Sequence, residues 1–131
     1  MQTEILYVEN DKDLNEIITL SLRAEGYIVT PVPDGEDACA FLTERDPANT
    51  VVLITDLGMP QLNGVELLEL VLANKWPVRG IVVTSALPSC DPRYQRAKAI
   101  LASQAKGALP CCFLDKPISP HILYDAISSV V

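Results

Sequence analysis

The sequence has few basic residues: ten Lys and Arg stand against seventeen Asp and Glu, which gives a formal net charge of −7. An acidic chain repels a phosphate backbone, and the basic residues form no stripe with interleaved aromatic residues, so direct nucleic-acid binding is not expected. No apolar run reaches the roughly 20 residues that a membrane-spanning helix needs. The N-terminal residues also lack the basic region and small-residue cleavage site of a signal peptide. We therefore expect a cytoplasmic protein without a membrane segment.

Disulfide and zinc motifs are missing as well. His121 is the single histidine, and the cysteines (Cys39, Cys90, Cys111 and Cys112) form neither a CxxC pair nor a Cys/His metal spacing. Because Cys111 and Cys112 are adjacent in an apolar run, their side chains should point to opposite faces of a strand. We expect reduced thiols that are buried as small hydrophobic groups rather than used in redox chemistry.

The chain does contain a repeated alternation of short apolar runs and longer helical patterns. Its 131 residues, 49% of them hydrophobic, suit a single domain with one core, spanning 1–131. Five apolar runs predict strands at 4–8, 27–32, 51–55, 80–84 and 111–114. Alternation of this kind is typical of a parallel sheet covered by helices. The sequence therefore predicts an α/β fold, a flavodoxin-like doubly wound sheet of five parallel strands in the order 2-1-3-4-5, with five helices.

Each predicted helix has a start signal. Asp11 or Asp13 begins the first helix, which Gly26 ends. Capping residues begin the other four helices: Asp34, Asn63 with Glu66 at the capping-box position, Asp91 before Pro92, and Ser119 before Pro120.

Polar residues follow the carboxyl ends of the predicted strands, where open parallel sheets bind their ligands. Strand 1 leads into Glu9, Asn10 and Asp11, and strand 3 leads into Asp56. Strand 4 ends at Thr84 and Ser85, and strand 5 is followed by Lys116. We interpret Asp11 as a helix cap, whereas the chain after Asp56 starts no helix until about Asn63. Carboxylates, a hydroxyl and an ammonium group are therefore expected at one edge of the sheet.

The segments ILYVEND, TDLGMPQLNG, VVTSA and FLDKPI, in this order, resemble the receiver domains of two-component response regulators over nearly the whole chain. The resemblance implies that Asp56 is the phosphoacceptor, and that Glu9, Asn10, Asp56 and the backbone carbonyl of Gly58 bind Mg²⁺. It also implies that Thr84 is the switch hydroxyl, that Lys116 contacts the phosphoryl oxygens, and that Lys116–Pro117 is a candidate cis peptide bond. Phe113 stands at the aromatic switch position, although an ordinary core aromatic is an equal alternative.

The function implied by this resemblance is a phosphorelay step. A sensor histidine kinase or a histidine phosphotransfer protein would donate the phosphoryl group to Asp56, with at most self-phosphorylation and self-dephosphorylation as activity. Mg²⁺ is needed because a carboxylate must approach an anionic donor. The signal would then pass to an output protein at the face formed by strands 4 and 5, and phosphorylation can promote a dimer.

Two features depart from the pattern of the family. Asn10 stands where a second acid is usual; a unit charge roughly 4 Å from its partner is worth about 4 kcal/mol at an effective dielectric of about 20. We therefore expect weaker Mg²⁺ binding, and a degenerate receiver that signals by protein contacts without phosphorylation is the alternative. Residues 87–110 are longer than the usual connection, either through an extended fourth helix or through an additional turn, and suggest an unusual partner.

Enzymes of similar fold fit the sequence less well. Aspartyl-phosphate hydrolases would need a second acid two residues beyond the nucleophile, where this chain has Gly58. A flavodoxin would need a phosphate-binding loop after strand 1, where acids here would repel phosphate.

Overall fold

The computed structural model describes residues 3–104 and 109–131. Within these ranges strands and helices alternate strictly, as β1 (Glu4–Val8), α1 (Lys12–Ala24), β2 (Ile28–Val32), α2 (Gly35–Glu44), β3 (Val51–Asp56), α3 (Gly64–Asn74), β4 (Val78–Ser85), α4 (Pro92–Ser103), β5 (Cys111–Asp115) and α5 (Pro120–Val130). All pairings are parallel, and the strand order is β2-β1-β3-β4-β5. The predicted flavodoxin-like fold is confirmed.

The predicted helix starts are the observed ones. The carboxylate of Asp11 accepts a hydrogen bond from the backbone N–H of Leu14, so Asp11 rather than Asp13 caps α1. Asn63 and Glu66 form both hydrogen bonds of a capping box at the start of α3. Gly26, just after α1, has φ = +94°, a conformation that glycine adopts without strain. None of the helices in the described ranges is long and apolar enough to cross a membrane.

The sheet separates two hydrophobic layers. All of β3 is buried, because β3 is central and helices cover both of its faces. One layer lies under α2, α3 and α4, and the other lies under α1 and α5. Cys111 packs against the first layer and Cys112 against the second, so these adjacent thiols lie on opposite faces as predicted. Burial raises the pKa of both thiols, which keeps them protonated and unreactive.

The long segment between β4 and β5 contains a turn before α4. The backbone N–H of Asp91 donates to the carbonyl of Pro88 at 3.0 Å, and Asp91 then caps a helix of 12 residues. Of the two alternatives predicted for this segment, the additional turn is present, and α4 is no longer than α1. The remaining part of the segment, 105–108, lies outside the described residues.

Gly64 ties α3 to the end of β3, and a side chain there should be strongly destabilising. A Cβ atom at this position would lie 2.5 Å from the carbonyl oxygen of Asp56 and 2.7 Å from the Cα of Leu57, and neither backbone atom can move aside. We expect Gly64→Ala to lower the free energy of unfolding by about 2–3 kcal/mol in urea denaturation. Gly58→Ala is the control, since its Cβ would meet only the Leu87 side chain, at 3.7 Å. Equal stability of the two variants would contradict this prediction.

Candidate functional site

The register of the sheet brings the predicted site residues together. Val8 pairs with Thr55, so Glu9 and Asp56 emerge side by side from β1 and β3. Asp56 pairs with Thr84, which lies on β4, the next strand in the sheet. Glu9, Asp56 and Thr84 are 2%, 6% and 4% exposed, so three polar side chains are nearly buried at one edge. Such burial of acids is costly unless each finds a charged or hydrogen-bonding partner.

Lys116 is the cation that compensates these acids. Its Nζ lies 2.7 Å from Oε1 of Glu9 and 3.4 Å from Oδ2 of Asp56. The backbone N–H of Lys116 donates to the carbonyl of Ser85 at 2.7 Å, which fixes the lysine beside the end of β4. The Lys116–Pro117 peptide bond is cis, as the family resemblance implied. The lysine thus holds Glu9 more closely than it holds Asp56.

The electrostatics of the three charges follow from burial and mutual contact. Burial is the main factor that raises the pKa of Glu9, and the charge of Asp56 raises it further against the opposing hydrogen bond from Lys116. For Lys116, burial alone would lower the pKa, but the hydrogen bond to Glu9 and the charge of Asp56 outweigh it and raise the pKa. Two carboxylates and one ammonium group leave the site with one net negative charge, which favours a cation.

Asn10 and Asp11 contribute less to the site than their positions suggest. Asn10 is exposed and adds an amide in place of a carboxylate. The carboxylate of Asp11 is occupied as the cap of α1, while its backbone N–H donates to Oε2 of Glu9 at 3.2 Å. No group of three or more His, Cys, Asp and Glu side chains arranged for a metal ion occurs within 3–104 and 109–131. The carboxylates of Glu9 and Asp56 are nevertheless the hard oxygen donors that suit Mg²⁺, so the residues present fit this ion with reduced charge.

The loop after Asp56 is fixed by backbone hydrogen bonds. The N–H of Leu57 donates to the carbonyl of Thr84, and the N–H of Gly64 donates to the carbonyl of Leu57. The N–H of Gly58 points at Oδ1 of Asp56 from 3.4 Å, a weak contact. Gly58 is therefore held next to the candidate acceptor carboxylate.

Phe113 is half-buried and packs against α4. Its ring meets the ring of Tyr94 edge-on, with centroids 4.8 Å apart, and Nζ of Lys98 lies 4.5 Å from the Phe113 centroid. The Tyr94 hydroxyl donates to the carboxylate of Asp115 at 3.3 Å. Phe113 is thus neither a fully buried core residue nor a free surface residue, but is covered by two side chains of α4.

Sequence reasoning missed the roles of two residues that organise this site. The side-chain amide of Asn15 donates to the carbonyls of both Glu9 and Val32, which ties α1 to the ends of β1 and β2. Ser85 holds the backbone of Lys116 and, through its hydroxyl, the N–H of Leu87. A lone asparagine on the inward face of an amphipathic helix is a weak signal for the first role, and no pattern indicates the second.

Taken together, the fold and this edge define an α/β domain with an acid pair and a lysine at the switch point of a doubly wound sheet. The chain belongs to the response regulator receiver domain family, whose model matches residues 5–128. This is a family of signalling domains rather than of classical enzymes.

Curated relatives match part of the chain. An uncharacterized 14.6 kDa protein from the sodA1 3′ region of Leptolyngbya boryana is 34% identical over 67 residues, which are 51% of this chain and 49% of that protein. The DNA-binding response regulator MtrA of Mycolicibacterium smegmatis is 31% identical over 74 residues, 56% of this chain and 31% of MtrA. The matched part thus spans half or less of these relatives.

Solved structures match the fold over the whole chain. The chemotaxis protein CheY4 of Vibrio cholerae superposes with a TM-score of 0.77 at 22% identity, with full coverage of both chains. FixJ-N gives a TM-score of 0.78 at 23% identity, covering 98% of this chain and 93% of its own.

Removing Lys116 should destabilise the protein in a pH-dependent way. Lys116→Met leaves the buried Glu9 and Asp56 without a cation, and we expect a loss of about 3 kcal/mol near pH 8. The folded-state pKa of Glu9 should then rise further above its unfolded value. Folded protein therefore binds a proton that unfolded protein does not, and the deficit should shrink as the pH falls through that raised pKa. Urea denaturation at several pH values measures this, with the exposed Lys12→Met as control; a deficit that is constant between pH 8 and pH 5 would contradict it.

Proposed function

We propose that this chain, as a single receiver domain over residues 1–131, accepts a phosphoryl group on Asp56. A cytoplasmic sensor histidine kinase or histidine phosphotransfer protein is the proposed donor. The observation that carries the proposal is the convergence of Asp56, Thr84 and Lys116 at one edge of the sheet, with Glu9 beside them. These are the groups that receive, hold and neutralise a phosphoryl group.

The proposed reaction forms a bond between a carboxylate oxygen of Asp56 and phosphorus, while the phosphorus–nitrogen bond of the donor phosphohistidine breaks and the imidazole takes up a proton. Lys116 donates to the arriving phosphoryl oxygens, to which the Thr84 hydroxyl is also free to turn. Mg²⁺, held by Glu9, Asp56, the side-chain oxygen of Asn10 and the Gly58 carbonyl, would supply the charge neutralisation that an attack on an anionic group requires.

The contact between Lys116 and Glu9 gives this reaction a specific starting point. Before transfer the ammonium group lies closer to Glu9 than to Asp56, by 2.7 Å against 3.4 Å. A phosphoryl group on Asp56 brings three new acceptor oxygens into reach, so part of the interaction of the lysine moves from Glu9 to the phosphoryl group. That change, together with the Thr84 hydroxyl, reports phosphorylation to the ends of β4 and β5.

The proposed readout runs through Phe113 to α4. Phe113 has no hydroxyl, so its response depends on ring packing against Tyr94 and Lys98. A shift of Thr84 toward the phosphoryl group would free space for the Phe113 ring and so change how α4 packs on β5. The packing of α4 on β5 would then have two states, and phosphorylation would favour one of them. The face of β4 and β5 with α4 is the proposed contact for the output protein and for a phosphorylation-dependent dimer.

Beryllofluoride, which mimics an aspartyl phosphate, tests the proposal. We expect its addition with Mg²⁺ to shift the amide NMR signals of Asp56, Thr84, Phe113 and Lys116, and Asp56→Asn to remove the response. A second candidate, favoured by the neutral side chain of Asn10, is a degenerate receiver that binds its partners without phosphorylation. Spectra that do not change with beryllofluoride at saturating Mg²⁺ would support that second function and overturn the first.

A further inference from the structure

An apolar cavity of about 400 Å³ lies beside the acidic site, on the side of the sheet covered by α1 and α5. Its volume is within the range of pockets that hold small molecules, roughly 300–1,000 Å³. Its walls are mainly apolar side chains from α1, β3, the loop before α5 and α5 itself, including Leu14, Ile18, Ile54, Ile118 and Leu123. Its polar lining residues are Tyr7, Thr84 and Lys116, which we call the polar end of the cavity, and Lys116 contacts both acids of the candidate phosphorylation site.

Three of the lining residues carry hydrogen-bond donors. Tyr7 and Thr84 line the cavity although each is only 4% exposed. Among residues 3–104 and 109–131 no fully buried side-chain oxygen lacks a hydrogen-bond partner, so a lining hydroxyl without a protein partner keeps some exposure and is open to a ligand. The third donor is Lys116, whose ammonium group has three N–H bonds and contacts two carboxylates, Glu9 and Asp56.

The charges around the polar end limit what such a ligand can be. Glu9 and Asp56 both contact Lys116 and would repel a carboxylate or phosphate head group. Lys116 itself lines the cavity and would repel an ammonium head group. A tyrosine hydroxyl is protonated at neutral pH, so the Tyr7 hydroxyl is a hydrogen-bond donor. An uncharged oxygen acceptor is the head group that these donors fit.

We propose that this cavity binds a small uncharged molecule with an apolar body and a carbonyl-type oxygen at one end. The oxygen accepts hydrogen bonds from Tyr7 and Thr84 at the polar end, and the body lies against Leu14, Ile18 and Leu123. This part of the inference does not depend on phosphorylation. It assigns Tyr7 a role in recognition that neither the acidic site nor the readout through Phe113 uses.

A second part rests on the proposed function. Thr84 and Lys116 serve both the cavity and the phosphoryl group, and a donor engaged by one is less available to the other. The ligand and the phosphoryl group should therefore weaken each other, and this coupling is reciprocal. The cavity would then be a site through which a small apolar effector opposes activation.

The ketone 4-phenylbutan-2-one is a suitable probe, and 3-phenylpropanoate is its charged isostere. In titrations followed by amide NMR we expect the ketone to shift signals of Tyr7, Leu14, Ile18, Thr84 and Ile118 with a Kd of roughly 1–10 mM. The carboxylate should bind at least about tenfold more weakly, because it must approach Glu9 and Asp56. Equal affinities, or ketone-induced shifts scattered away from the cavity, would overturn the assignment.

The matched pair Tyr7→Phe and Tyr27→Phe tests the hydroxyl. Tyr27 packs against the same hydrophobic layer but does not line the cavity. Loss of one hydrogen bond should weaken ketone binding about three- to tenfold in Tyr7→Phe and leave it unchanged in Tyr27→Phe. If Tyr7→Phe binds the ketone as tightly as the wild type, the role of Tyr7 is wrong.

The coupling is tested by repeating the ketone titration with Mg²⁺ and beryllofluoride, where we expect at least about tenfold weaker binding. A protein that binds the ketone but does not respond to beryllofluoride would overturn the proposed function and leave the cavity assignment intact. A protein that responds to beryllofluoride but does not bind the ketone would overturn the cavity assignment alone. Unchanged ketone affinity in a protein that responds to beryllofluoride would overturn the coupling.

Discussion

Asp56→Asn is expected to abolish phosphorylation, since the amide cannot act as the nucleophile that a carboxylate provides. The substitution keeps the size of the side chain and its place at the end of β3, so loss of the fold does not explain loss of labelling. The measurement is incorporation of radioactive phosphate from acetyl phosphate in the presence of Mg²⁺, followed by release with hydroxylamine, which cleaves acyl phosphates. We expect the label to fall to background.

Asp11→Asn is the matched control for this experiment. Asp11 is an acid close to the site that caps α1, and asparagine caps a helix about as well as aspartate. This variant should therefore keep its fold and most of its labelling. If Asp56→Asn were labelled to the same extent as the wild type, another residue would be the phosphoacceptor. Loss of labelling in both variants would point to the acidity of the site rather than to one nucleophile.

The fold could be predicted from the sequence because its signals are local. The run at 51–55 is nearly continuous Val, Leu and Ile, as is typical of a central parallel strand, and the observed strand extends it by one residue to Asp56. Asn63 and Glu66 lie three residues apart and make their capping box within one turn of helix. Alternation of such segments then leaves few topologies, since parallel crossovers are right-handed.

The geometry of the candidate site could be predicted only in part, because it depends on contacts between distant residues. Order along the chain places Glu9, Asp56, Thr84 and Lys116 at one edge, but not their mutual distances. Lys116 is 107 residues from Glu9, and its backbone is held by a hydrogen bond to Ser85, so its position relative to Glu9 and Asp56 is set by contacts between distant residues. The cover of Phe113 by Tyr94 likewise depends on how α4 packs against β5, which no local pattern specifies.

Asn10→Asp should tighten Mg²⁺ binding at least about tenfold. A restored carboxylate adds a unit charge next to Glu9 and Asp56, and a third of the roughly 4 kcal/mol available at 4 Å already corresponds to a factor of about ten. Asn10 is exposed, so the substitution should leave the packing of the fold unchanged. Without metal the added acid repels its neighbours, and the melting temperature should fall. With saturating Mg²⁺ the melting temperature of Asn10→Asp should exceed that of the wild type, because tighter metal binding stabilises the folded state more.

Calorimetric titration of Mg²⁺ into wild type, Asn10→Asp and Asn49→Asp separates a local effect from a general one. Asn49 is exposed just before β3, at the opposite edge of the sheet, so its substitution adds the same charge far from the site. Affinity should rise only when the acid is placed at position 10. Equal affinities of wild type and Asn10→Asp would mean that Asn10 does not limit the metal site. Slow or absent phosphorylation would then need another cause. The ion pair between Lys116 and Glu9 would be the next cause to test, since Lys116 occupies the carboxylate that the metal would otherwise bind.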